Sequence, residues 1–79
     1  MPLFELRLKT DLAADFRGKA EDVFKALGLE HELLVEDEDE IRYSVSAPVD
    51  VRTKDVSDML RLAAGGNLIV RWEERRVRP

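Results

Sequence analysis

The chain has 79 residues, of which 44% are hydrophobic and 38% are charged, so it has room for one small domain with a modest core. Thirteen basic and seventeen acidic residues give a net charge of −4, which argues against a surface that is basic throughout and binds polyphosphate everywhere. The sequence contains no cysteine, which excludes disulfides, thiolate zinc sites and thiol nucleophiles.

The absence of cysteine favours a protein of the reducing cytoplasm, and the amino terminus and the hydropathy pattern favour a soluble one. Residues 1–5 read Met-Pro-Leu-Phe-Glu, without the basic start and apolar stretch of a signal peptide. No run approaches the ~20 apolar residues of a membrane helix. We therefore expect no membrane association.

The first segment of the chain predicts a strand followed by a helix. Residues 4–9 alternate between apolar and charged side chains, which is typical of a half-buried strand. Residues 12–17 fit either an early helical turn or a packed loop. We place the first helix at about 19–27, because Gly18 inside a helix costs up to ~1 kcal/mol relative to alanine and is cheap at a helix entrance. Gly28 suits the left-handed position that ends a helix.

Apolar spacing also predicts which sides of these elements are buried. The stripe of the first helix consists of Ala20, Val23, Phe24 and Leu27. A second strand over 30–36 places His31, Leu33 and Val35 on one face, and Glu32, Leu34 and Glu36 on the other. The acidic block 37–40 is too polar for a sheet interior and predicts a hairpin turn.

The second half of the chain repeats this order of elements. A third strand begins at Ile41 and ends before Pro48, which stops ladder pairing. A second helix covers about 54–64 and ends at Gly65-Gly66. The last strand covers 68–73, and residues 74–79 form a basic C-terminal tail.

The order β-α-β-β-α-β predicts an α+β fold of the ferredoxin-like plait type, as one domain over residues 1–79. Two right-handed crossovers place both helices on one face of a four-stranded antiparallel sheet. The opposite face is left uncovered, and we call it the open face.

The turn Asp15-Phe16-Arg17-Gly18, followed by Val23 and Leu27, resembles the start of ACT domains. The segment 68–73 is similar to the final strand of the ACT-like domain that closes the MgtC family of membrane proteins. The resemblance implies a regulatory module that pairs with a second copy and holds a small ligand near the glycine turn. The free N–H groups of a helix start also favour anions. The ligand-binding residues predicted on these grounds are Asp15, Arg17, Gly18 and Lys19.

The histidine, serine and acidic residues of the chain do not form a catalytic or metal-binding pattern. His31 is the only histidine, and no serine or carboxylate is fixed beside it by spacing, so a triad cannot be argued. Ser44 and Ser46 lack a nucleophile-elbow context. The acidic stretch 36–40 lacks the glycine and the spaced ligands of an EF-hand loop. We expect no catalytic residue, no metal and no cofactor.

The open face gives two hypotheses for function. The first is a non-enzymatic regulatory or protein-interaction module that forms a homodimer through this face or a sheet edge, with Leu34 and Ile69 at the interface. The alternative is a small RNA- or DNA-binding protein, in which the basic residues are Arg7, Lys9, Arg42, Arg71, Arg75, Arg76 and Arg78. The aromatic residues Phe4, Tyr43 and Trp72 fall on the core side, so this face lacks a platform for stacking bases.

Overall fold

Four strands and two helices alternate along the chain in the computed structural model, which describes residues 3–11 and 13–75. The elements are β1 (Leu3–Lys9), α1 (Ala13–Ala26), β2 (Glu30–Glu36), β3 (Glu40–Ser46), α2 (Thr53–Ala64) and β4 (Ile69–Arg75). The strands form one antiparallel sheet in the order β2-β3-β1-β4. The predicted fold class, a ferredoxin-like plait, is confirmed.

The hydrophobic core lies between the two helices and the inner row of the sheet. The alternation of β1 and β3 places Leu6 and Tyr43 on the helix side, and both are fully buried. Phe24 of α1 and Leu60 of α2 are fully buried against this row. The rings of Phe24 and Tyr43 meet edge to face with their centroids 5.0 Å apart, a favourable geometry for aromatic pairs. The predicted apolar stripe of α1 is therefore confirmed.

The start of α1 differs from the prediction. The helix begins at Ala13, so Gly18 lies inside it rather than at its entrance. Ala13 and Phe16 are buried and continue the apolar stripe toward the amino terminus. Burying a phenylalanine contributes about 1.5–3 kcal/mol, which exceeds the cost of up to ~1 kcal/mol for an internal glycine. The predicted start near residue 19 was wrong, and the N–H groups of residues 17–19 are not at a helix entrance.

Both helices end at the glycines that the sequence indicates. Gly28 has a φ of 69°, and the next N–H, that of Leu29, donates to the carbonyl of Phe24 at 2.8 Å. This is the 6→1 hydrogen bond of a Schellman motif. Gly65 closes α2 in the same way with a φ of 79°.

Strand β2 contains a β-bulge that the strict alternation did not predict. Leu33 pairs with Tyr43, but the next paired residue of β2 is Val35, opposite Arg42, so Leu34 is inserted between two ladder positions. Because directly paired residues share a face, the bulge reverses the alternation beyond it. Val35 therefore lies on the open face and Glu36 on the helix side, the reverse of the prediction.

Strand β4 is longer than predicted at its carboxyl end. It includes residues 74 and 75, so the part of the chain predicted as a basic tail begins inside the sheet. Arg76 and Arg78 lie outside the described residues. Within the described part of the chain, neither helix has the length and apolar content that crossing a membrane requires.

Candidate functional site

The open face carries its charged side chains in rows that run across the sheet, because residues paired on neighbouring strands point to the same side. One row, the arginine row, consists of Arg42, Arg7 and Arg71 on β3, β1 and β4. The adjacent row, the acidic row, consists of Glu32, Glu5 and Glu73 on β2, β1 and β4, with Ser44 between the first two. The alternating strands thus place a band of positive charge beside a band of negative charge.

Glu5 is the best-buried charged group on this face, with 6% of its surface exposed. Arg75 donates a hydrogen bond to one carboxylate oxygen at 2.8 Å, and Arg7 approaches the other at 3.5 Å. Burial by itself raises the pKa of Glu5, but the hydrogen bond and charge of Arg75, with those of Arg7, outweigh it and leave the pKa below its ordinary value. Glu5 is therefore ionised at neutral pH.

The arginine row is only partly neutralised by its neighbours. Arg42 contacts Glu40 at 3.3 Å, and Arg7 lies 3.8 Å from Glu73. The Nε atoms of Arg7 and Arg42 are buried and have no hydrogen-bond partner among the described residues. Like charges directly opposite one another destabilise a sheet, so a negative charge placed beside this row would relieve the repulsion.

Strand β4 is one of the two edge strands of the sheet, and it is bound to β1 and to α2. Its seven residues pair with β1 without a register shift. The indole Nε1 of Trp72 donates to the Ser57 hydroxyl of α2 at 2.7 Å, and its ring meets Phe4 edge to face at 5.5 Å. Among the described residues no strand pairs with the outer side of β4, which leaves that edge of the described sheet open to another strand.

The residues predicted to bind a small ligand do not form one cluster. Asp15 and Lys19 line a recess of about 320 Å³ between the β1–α1 turn and α2. Arg17 instead forms ion pairs with Glu21 and Glu36, each at 2.9 Å, and Gly18 is exposed on α1 without lining the recess. The argument from a helix start was wrong for Arg17, Gly18 and Lys19, which lie inside α1, and ligand binding at the turn stays a prediction of the family resemblance.

A polar network that the sequence did not indicate joins α1 to the sheet. The hydroxyl of buried Tyr43 donates to Glu21 at 2.9 Å, and Arg17 donates to the same oxygen. The hydrogen bond from Arg17 is the largest influence that lowers the pKa of Glu21, and the Tyr43 bond adds to it against the effect of burial. Burial, followed by the bond to Glu21, raises the pKa of Tyr43. The four-residue spacing of Arg17 and Glu21 was the one signal of this network in the sequence.

The residues predicted at a dimer interface lie far apart on the sheet. Leu34 is 45% exposed at the bulge of β2, and Ile69 is 56% exposed at the start of β4. Because β2 and β4 are the two outer strands, these residues do not form a single apolar patch. The prediction of a shared interface through both was made from alternation alone, which does not distinguish the two edges.

The basic residues proposed for nucleic-acid binding are only partly brought together. Arg7, Lys9, Arg42, Arg71 and Arg75 share the open face by their ladder positions, and the remaining two lie outside the described residues. The acidic row runs between Arg75 and the arginine row. Tyr43, Phe4 and Trp72 pack toward the core, which confirms that the open face lacks these aromatic rings for base stacking.

A scan against models of known protein families gives no match, and a search of curated proteins gives no significant one. The ACT-like resemblance therefore stays a prediction. Among residues 3–11 and 13–75, no group of three or more histidine or acidic side chains is arranged to hold a metal ion.

Proposed function

We propose that this protein is a non-enzymatic protein-interaction module that pairs with a second copy of itself through the edge of β4. Two such edges, joined antiparallel about a two-fold axis, form one continuous sheet with all helices on the same side. His31, the one candidate for acid–base chemistry, packs its ring against Phe24 and Tyr43 with centroids 5.0 and 6.0 Å away. A packed ring of this kind favours a structural role for His31.

The self-complementary charge pattern of β4 is the observation that carries the proposal. In the register that places Trp72 of one chain opposite Trp72 of the other, Arg71 of each chain lies opposite Glu73 of its partner. The two-fold axis therefore gives two such pairs of opposite charge. The pairs farther out are Val70 with Glu74 and Ile69 with Arg75. Opposite charges in directly paired positions stabilise a sheet by about 0.2–1 kcal/mol per pair.

Neighbouring registers of the same edge are disfavoured by like charges. Sliding one chain by two residues places Arg71 opposite Arg71 or, in the other direction, Glu73 opposite Glu73. Each of these shifts removes the two Arg71–Glu73 pairs and brings two like charges together at the two-fold axis. Charged residues on an edge strand ordinarily prevent pairing, but this sequence of charges admits one register and rejects the adjacent ones.

The other edge of the sheet does not offer a comparable surface. Strand β2 is interrupted by the bulge at Leu34, and an unpaired bulged residue disrupts a ladder. Three of its seven residues are acidic, namely Glu30, Glu32 and Glu36, so two copies of β2 would repel each other. The partner edge is therefore β4.

Charge reversal at the paired positions tests this proposal by sedimentation equilibrium. We expect the wild-type chain to form a dimer with a Kd between about 1 μM and 1 mM, since an edge contact is smaller than standard interfaces. Arg71→Glu or Glu73→Arg alone should weaken the dimer at least ten-fold, because each creates like-charge pairs. The double variant Arg71→Glu/Glu73→Arg should restore it, because the opposite charges are exchanged.

A matched control separates this pairing from a general effect of net charge. Glu30→Arg makes the same change in charge as Glu73→Arg but lies on β2, and it should leave the affinity unchanged. Circular dichroism confirms that each variant is folded. A single 9.1 kDa species up to about 1 mM, or a folded double variant that stays monomeric while the wild type pairs, would refute pairing through β4.

A further inference from the structure

A recess of about 260 Å³ lies on the open face between β1 and β4. It is lined by Arg7, Lys9, Glu40, Ile69 and Arg71. Three of these five side chains are cationic, and the one acid is already in contact with Arg42 at 3.3 Å. The recess therefore has an excess of positive charge.

The positive charge of the recess is only partly compensated by the protein itself, through Glu40 opposite Lys9 in the ladder and the acids near Arg7. Arg7 and Arg71 are directly opposite in the ladder, an arrangement that costs free energy when nothing separates the charges. The acids nearest to Arg7 are at 3.5 and 3.8 Å, and the first of them, Glu5, is bound more closely by Arg75 at 2.8 Å. In the described part of the chain, Lys9 and Arg71 have no carboxylate within 4.0 Å.

The protein itself does not satisfy every hydrogen-bond donor of Arg7. The Nε of Arg7 is buried and has no hydrogen-bond partner among the described residues. A buried donor without a partner destabilises the folded protein. Guanidinium groups present paired donors that match the oxygens of phosphate, and a lysine adds a compact charge. Ile69 provides an apolar wall beside these donors.

We propose that this recess binds a small dianionic oxyanion, either inorganic phosphate or the phosphate group of a small monoester. The anion lies between Arg7, Lys9 and Arg71, accepts hydrogen bonds from their N–H groups and reduces the repulsion between the opposed arginines. The site belongs to a single chain and does not require pairing through β4. Lys9 lies on the inner strand β1, so its substitution tests the recess without altering the β4 edge.

Titration of the wild-type chain with inorganic phosphate at constant ionic strength tests the site. We expect saturable changes in the backbone amide resonances of β1 and β4 around the recess, with a Kd of roughly 0.1–10 mM. Lys9→Gln should weaken binding at least five-fold, and Arg71→Gln should do the same. Lys25→Gln, which removes an equal charge on the far side of the protein in α1, should leave binding unchanged.

A parallel titration with phenyl phosphate distinguishes the two sources of the anion. Tighter binding than inorganic phosphate assigns the recess to a phosphorylated small molecule, and equal or weaker binding assigns it to free phosphate. The proposal is overturned if phosphate does not saturate, if the shifted resonances lie away from the recess, or if Lys25→Gln weakens binding as much as Lys9→Gln. It is also overturned if a short oligonucleotide binds with a steep salt dependence while phosphate does not saturate, since the face would then recognise a polyanion.

Discussion

Removing the hydroxyl of Tyr43 tests the network that joins α1 to the sheet. The hydroxyl donates to Glu21 at 2.9 Å, and Tyr43→Phe deletes this bond without changing the packing of the ring. A hydrogen bond to a charged group contributes about 1.5–3 kcal/mol. The Glu21 side chain is 27% exposed and keeps its bond to Arg17, so we expect the lower end, about 1.5 kcal/mol. In a domain of this size the melting temperature should fall by roughly 6–12 °C.

The same hydroxyl makes stability depend on pH in the alkaline range. Burial, followed by the hydrogen bond to Glu21 and its charge, raises the pKa of Tyr43 above its ordinary value of 10.0. A group with a higher pKa in the folded state contributes stability that is complete below its unfolded pKa and is lost as the pH rises further. Stability should therefore decline above about pH 10, and this part of the decline should be absent in Tyr43→Phe.

Urea unfolding followed by circular dichroism measures both effects, and absorbance of the tyrosinate ion reports the ionisation directly, because the chain has one tyrosine. Ser44→Ala removes a hydroxyl from the opposite face of the same strand and is the matched control, expected to stay within about 0.5 kcal/mol of wild type. A loss below about 0.5 kcal/mol in Tyr43→Phe, or tyrosinate forming near pH 10 in a folded protein, would contradict the role of the network.

Two further substitutions test the packing of α1. Gly18→Ala should raise the free energy of unfolding by up to ~1 kcal/mol in urea titrations, because alanine is the better helix former. The new methyl group meets no neighbouring side chain or strand within 4 Å. A loss of stability would contradict a helix that runs through this position. Phe24→Ala should lower it by about 3–5 kcal/mol, a large share of the ~4–12 kcal/mol expected for the domain. If that variant does not fold, Phe24→Leu gives a readable melting curve, and wild-type stability in either would show that Phe24 is not at the centre of the core.

Local patterns were sufficient to predict the fold, because most of its elements follow simple rules. The alternation around Leu6 and Tyr43 identified the inner row of the sheet, and Gly28 and Gly65 marked the ends of the helices. These signals depend on residues a few positions apart, so they can be read without knowledge of the tertiary structure. The order of elements then restricted the topology to a plait.

The start of α1 and the bulge of β2 were missed because tertiary contacts decide them. The cost of Gly18 is visible locally, whereas the larger gain from burying Phe16 depends on the sheet beneath it. In β2 the apolar run Leu33-Leu34-Val35 permits either strict alternation or an inserted residue. Only the pairing with β3 shows which of these occurs, and that choice decides the face on which Glu36 lies.

The residues of the candidate site could be predicted from the sequence, but the contacts between them could not. Parity alone placed Arg7 and Arg71 together on the open face. The bond between Arg75 and Glu5, which are 70 residues apart in sequence, depends on the β1–β4 register and has no local signal. Sequence alone therefore predicted a basic patch diluted by Glu5 and Glu73, and the ladder registers show that these charges form two adjacent rows of opposite sign.

The bulge at Leu34 has a consequence for the size of the assembly. A sheet with two receptive edges can add copies at both ends and grow into a fibre, as open-ended contacts do. In the proposed pairing each chain uses its β4 edge once, and the outermost strands of the pair are the two bulged, acidic β2 strands. In the proposed pairing, the bulge and the acidic residues of β2 would therefore limit the assembly to two chains.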